Sequence, residues 1–168
     1  MTQSQPDAVY RLMESQVDAN AAIATVLQLA QRELCLFDIS PASLADRQLG
    51  RPTPIDILKK LLHADRQNRI RVVLHETQGI ESELPRLVAL LGLHSAQLQI
   101  HRAVGAAREA KDPLLIADDA HFWHKLHVDH PHSVVTLHNA TETRPLKERF
   151  EQIWEDSEPA VSSSTLGL

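Results

Sequence analysis

The chain has 168 residues, 43% of them hydrophobic and 23% charged, with a formal net charge of -5. That length fits one domain, and the composition excludes wholesale disorder, a collagen-like repeat and a disulfide-stapled miniprotein. The acidic balance argues against a dedicated nucleic-acid binder, which needs basic charge against phosphate. No apolar run of roughly 18 residues is present to span a membrane, and the opening residues, MTQSQPDAVYRLMES, lack the basic and apolar regions of a secretory signal. Cys35 is the only cysteine, so no intrachain disulfide forms and a cytoplasmic protein is expected.

Residues 1–15 are polar and read as a frayed, flexible N-terminal tail. Ile23, Val26, Leu27 and Ala30 make one apolar stripe, which predicts a helix from about Asp18, its cap, to Arg32. Glu33 to Ile39 is a short apolar run of the kind found in strands buried on both faces. Thr53-Pro54-Ile55-Asp56 reads as a helix start, with Thr53 as cap and Pro54 at the first helical position. A second strand is expected over Ile70–His75. A helix opening at Ser82 and stopped by Gly92 follows, then a third strand over Leu98–His101. The stretch from Arg102 to Asp112 is ambiguous. Leu114–Asp118 is a fourth strand, His121–Leu126 pairs back on it as a hairpin, and Ser133–Leu137 is the last strand. A closing helix starts near Thr141 or Thr143 with Pro145 in its first turn and Leu146, Phe150, Ile153 and Trp154 on its inner face. Residues 159–168 read as a second flexible tail, leaving one domain over residues 16–158. Strands separated by helices predict a three-layer α/β/α sandwich, and the late hairpin makes its sheet mixed.

Six of the ten histidines fall between residues 121 and 138: His121, His124, His127, His130, His132 and His138. Imidazole is a common ligand of zinc, copper and nickel. His124, His127, His130 and His132 are therefore the candidate metal ligands, with Asp129 as an added carboxylate. Their spacing matches no helical HExxH pair and no Cys-His knuckle, so no physiological metal and no cofactor is expected. Asp118 and Asp119 follow an apolar strand, where α/β folds build sites beyond the carboxyl ends of parallel strands; a tight turn explains them as well. Arg51, Lys59, Lys60, Arg66, Arg69 and Arg71 form a basic cluster that reads as the solvent face of an amphipathic helix, with no aromatic residues interleaved for base stacking. Cys35 within its apolar run reads as inert core sulfur.

Ala30-Gln-Arg-Glu-Leu-Cys-Leu-Phe-Asp38, Pro113-Leu-Leu-Ile-Ala-Asp-Asp119 before a hairpin, and Glu148-Arg-Phe-Glu-Gln-Ile-Trp154 resemble the phospholipase D-like superfamily. The resemblance covers most of residues 18–156 and is nearest to uncharacterised bacterial domains of that superfamily with a degenerate catalytic motif. It implies an α/β/α sandwich with a mixed sheet. Enzymes of the superfamily carry H-x-K-x4-D, in which the His attacks phosphorus, the Lys binds phosphate and the Asp orients the His. With Asp118 on the motif's Asp, Lys111 stands in the place of the His and Pro113 in that of the Lys.

These features predict a non-catalytic module that acts by binding, as a homodimer or with a protein partner and with no membrane. His101, Asp118, Asp119 and His121 are its candidate ligand-binding residues. The alternatives are a phosphodiester hydrolase with a displaced histidine, His101 or His121, and a metal-binding protein using the histidine-rich hairpin. The superfamily's paired motifs place a dimer contact near Asp118 and the loop after His101, at the carboxyl ends of the strands.

Overall fold

The computed structural model describes residues 4–162. Part of the expected N-terminal tail is ordered: Val9–Met13 forms strand β1. Helix α1 follows over Gln16–Leu29, capped by Ser15, whose Oγ accepts the Asp18 N–H at 3.1 Å. Asp18, expected to be the cap, lies in the first turn, where its charge meets the positive end of the helix dipole. Strand β2 (Glu33–Asp38) is buried from Leu34 onward. A short helix absent from the sequence reading, α2 (Pro41–Asp46), starts at Ser40 and Pro41, a capping hydroxyl followed by a proline in the first turn. Helix α3 spans Pro52–Ala64, so Pro52 and not Pro54 stands at its start, with Arg51 in the cap position.

Strand β3 is Arg69–Leu74. The single helix expected from Ser82 is two, α4 (Ile80–Glu83) and α5 (Pro85–Leu93). Pro85 has no N–H to continue α4 and drives Leu84 out of the helical region, to φ -134 and ψ 56. Gly92 therefore lies inside α5, and His94 is the cap. Strand β4 (Leu98–Ala103) leads through a 3-10 turn at Gly105–Glu109 to β5 (Leu114–Ala117), β6 (His121–Lys125) and β7 (Ser133–Leu137). Helix α6 spans Ala140–Glu155 from its cap Asn139, whose side chain accepts the Glu142 N–H, and Pro145 falls beyond the first turn. Strand β8 (Ser157–Val161) takes the start of the expected C-terminal tail into the sheet. The outer parts of the two expected tails, residues 1–3 and 163–168, lie outside the described residues.

The eight strands form one sheet in the order β1-β7-β6-β5-β2-β3-β4-β8. Strands β2, β3 and β4 are parallel, and every other pairing is antiparallel. Alternation along β2 sends Leu34 and Leu36 to one face and Cys35 and Phe37 to the other. The first pair packs under α1, α3 and α5, and the second packs under α6 and the 3-10 turn, around Phe150. This is the expected three-layer α/β/α sandwich with a mixed sheet.

Candidate functional site

The direction of β5 decides where Lys111, Pro113 and Asp118 fall. It runs antiparallel to β2, with Leu34 opposite Ala117 and Phe37 opposite Leu114. Asp118 therefore sits at the amino ends of β2, β3 and β4, and Lys111 and Pro113 sit at their carboxyl ends. The expected patch joining Asp118 to the loop after His101 does not form, because the two lie at opposite ends of the sheet. Asp118 adopts φ 55, a left-handed conformation that Asp tolerates in turns. Its Oδ1 accepts the N–H groups of Arg32 at 2.8 Å and Glu33 at 3.1 Å, and its Oδ2 accepts that of Gln31 at 3.1 Å. This carboxylate pins the loop between α1 and β2. Asp119 is exposed and lies 3.4 Å from the Lys147 ammonium.

At the carboxyl ends, Pro113 is buried and its carbonyl accepts the Lys125 N–H at 2.8 Å. Lys111 is exposed, and its carbonyl accepts the Val128 N–H at 2.8 Å. Lys125 thus occupies the cross-strand place beside Pro113, and His127 lies in the segment against Lys111. Asp38, fully buried, pairs with Arg47 at 2.5 Å, and the Arg47 guanidinium lies 4.9 Å from the Trp123 ring centre. Burial, followed by the nearby Arg47 charge, lowers the Lys125 ammonium below its ordinary range. Sequence reasoning missed this group. Its one signal was a carboxylate, Asp38, closing an apolar strand, a position that demands a cation.

The candidate histidines disperse. His101 stacks on Trp154 at 3.7 Å between ring centres, and its Nδ1 hydrogen-bonds with the Ser157 hydroxyl at 2.9 Å. His121 is buried, and its Nδ1 accepts the His138 N–H at 3.0 Å. His124 bonds Asp112 at 2.8 Å, a carboxylate also held by Arg149. His127 accepts the Asp129 N–H at 3.1 Å and lies 5.4 Å from the His130 ring, and His132 is exposed. Among the described residues no three His, Cys, Asp or Glu side chains converge in a metal-binding geometry. Another histidine pair, unread in the sequence, joins α3 to the end of α5: the Nε2 atoms of His63 and His94 are 3.2 Å apart.

An open cleft lies at the amino ends of the strands. It has a volume of about 530 Å³ and is lined by Arg32, Glu33, Arg66, Gln67, Arg69 and Asp119, among others. The basic cluster read as one solvent face is thereby divided. Arg66 and Arg69 line the cleft and Lys59 and Lys60 stay on exposed α3. Arg71 is buried under α6, donating to the two Glu151 carboxylate oxygens at 2.9 and 2.5 Å. Cys35 beside it is fully buried, and burial pushes its thiol up to about 11, as suits inert core sulfur.

The fold is that of the phospholipase D-like α/β proteins. Nuc from Salmonella typhimurium, a phospholipase D family member, superposes with a TM-score of 0.61 at 10% identity, over 93% of this chain and 100% of its own. NucT from Helicobacter pylori gives 0.59 at 9%, over 92% of this chain and 100% of its own. TrmBL2, an archaeal chromatin protein with a novel mode of DNA binding, gives 0.63 at 17% over 90% of this chain. The chain spans 55% of the length of TrmBL2. No curated protein matches it by sequence. The chain belongs to the family described as Domain of unknown function (DUF7931), which matches residues 15–166.

Proposed function

We propose that the chain is a non-catalytic phospholipase D-like module that works by binding, as a homodimer or with a protein partner. The observation that carries this reading is the occupancy of the two motif positions: an exposed lysine, Lys111, and a buried proline, Pro113. An ammonium is protonated near neutral pH and is a poor phosphorus nucleophile, and proline offers phosphate no charge. Asp118 has its carboxylate engaged with three backbone N–H groups, and among the described residues it makes no hydrogen bond to an imidazole. Neither alternative histidine replaces the missing one. His101 lies on β4, three strands from β5, and His121 lies at the Asp118 end of the sheet.

Self-association is supported by the outer edge of the sheet. Among the described residues strand β1 is unpaired on one side, and Val9, Tyr10, Leu12 and Val17 expose apolar surface there and at the start of α1. Light scattering at micromolar concentration is expected to give about twice 18.8 kDa; the monomer mass would reject the homodimer.

Activity is tested with DNA, RNA, bis-p-nitrophenyl phosphate and phosphatidylcholine. No hydrolysis above a buffer control is expected. Turnover that survives purification and disappears in His101→Ala, His121→Ala, Lys125→Ala or His127→Ala would overturn the reading.

A further inference from the structure

We propose that the cleft at the amino ends of the parallel strands is a binding site for a small phosphorylated molecule, with Arg32 and Arg66 as its principal ligands. The site lies at the end of the sheet opposite Lys111 and Pro113, so it stands or falls independently of whether the chain hydrolyses a diester.

Three arginines line the cleft from different parts of the chain. Arg32 comes from the loop before β2, Arg66 from the loop after α3, and Arg69 opens β3. Arg69 is 3.5 Å from Glu33. Glu33 is also neutralised by Lys147, which reaches Asp119 as well. Among the described residues the Arg32 and Arg66 side chains have neither an ion pair nor a hydrogen bond. In a chain of net charge -5, two unpaired guanidiniums facing one cleft are a local surplus of forked donors. Forked donors match the several oxygens of a phosphate group.

The loops that carry them are fixed. Asp118 holds the Arg32 loop through its three backbone hydrogen bonds. Asn68 Nδ2 donates to the Gln31 carbonyl at 3.1 Å and the Leu61 carbonyl at 2.9 Å, tying the Arg66 loop both to α3 and to the Arg32 loop. Gln97 Nε2 lies within 3.0 Å of the Leu62, Asp65 and Asn68 carbonyls. The backbone beneath the two arginines is thus set before any ligand arrives, which lowers the ordering cost of binding. The cleft volume of about 530 Å³ suits a small molecule. The acidic chain as a whole repels a long polyanion, which favours a compact diphosphate over a nucleic-acid strand.

Isothermal titration calorimetry at low salt, with inorganic pyrophosphate as the probe, tests the site. Arg32→Gln/Arg66→Gln should weaken binding about tenfold or more. Lys59→Gln/Lys60→Gln removes the same net charge from exposed α3 and should leave binding unchanged. Asp119→Asn removes an opposing carboxylate and should tighten it. Circular dichroism confirms folding of each variant; both substituted arginines are exposed. Equal losses in the two double variants would reduce the effect to general electrostatics and overturn the proposal. So would citrate binding as tightly as pyrophosphate, binding seen only with a single-stranded oligonucleotide, or no pyrophosphate binding by the unaltered chain.

Discussion

Asp118 has a structural role in its loop. Its φ of 55 suits Asp, Asn or Gly, and its carboxylate satisfies three N–H groups that would otherwise face solvent or go unpaired. Hydrogen bonds to a charged acceptor contribute more than neutral ones, so Asp118→Ala is expected to cost about 2–4 kcal/mol in urea unfolding, and Asp118→Asn about 1 kcal/mol. An Ala variant as stable as the parent would show that the loop needs no anchor. The histidines set the response to acid. Burial, then the Arg71 charge, lowers the His101 imidazole below its usual 6.5, and burial, then His138, does the same to His121. The unfolded chain therefore binds protons that the folded chain refuses, and stability falls as pH drops through 6.5. Asp112 acts lower on the scale. Burial favours its protonation, but hydrogen bonds from His124 and Arg149 outweigh burial and hold it at about 2. Its contribution is present above the ordinary carboxylate range and is lost as pH falls toward 2. Thermal melts across pH should show both declines; His101→Gln should flatten the first and Asp112→Asn the second.

Among the elements, those with their own apolar pattern were legible in the sequence, and those ordered by a neighbour were not. Strand β5 and the interior of β2 are continuous apolar runs, β3 repeats Ile70, Val72 and Leu74 on one face, and α6 carries its stripe at helical spacing. Strand β1 has three exposed apolar side chains and β8 contains Pro159, so neither pattern marks a buried strand; each is ordered by pairing, with β7 and with β4. The reversal of β5 left no trace in the sequence. A four-residue strand buried on both faces reads the same in either direction, and this hid which end of the sheet Asp118 occupies. The cleft arginines were seen as charge, but their convergence depends on loops that meet only in the folded sheet. Helix α6 closes its layer through Phe150, which is fully buried against Cys35 and Phe37's side of the sheet. Phe150→Ala should destabilise the chain by about 3–5 kcal/mol. A loss under about 1 kcal/mol in guanidinium unfolding would mean that α6 packs elsewhere.

At the scale of the whole molecule, the fold is kept while its two ends carry different chemistry. The carboxyl ends, where Lys111 and Pro113 stand, are filled by the buried Asp38–Arg47 pair and by Lys125 from the neighbouring strand. The amino ends hold an open cleft with unpaired guanidiniums. On the proposed reading, binding belongs to the amino ends of the sheet and the carboxyl ends carry Lys111 where a nucleophilic histidine would stand. The central claim is therefore the absence of a phosphohistidine intermediate. Intact-mass spectrometry after incubation with bis-p-nitrophenyl phosphate, followed by an alkaline quench that preserves phosphohistidine, tests it most directly. The chain is predicted to keep its unmodified mass at every time point. An adduct of one phosphoryl ester group mapped to any histidine would contradict the account.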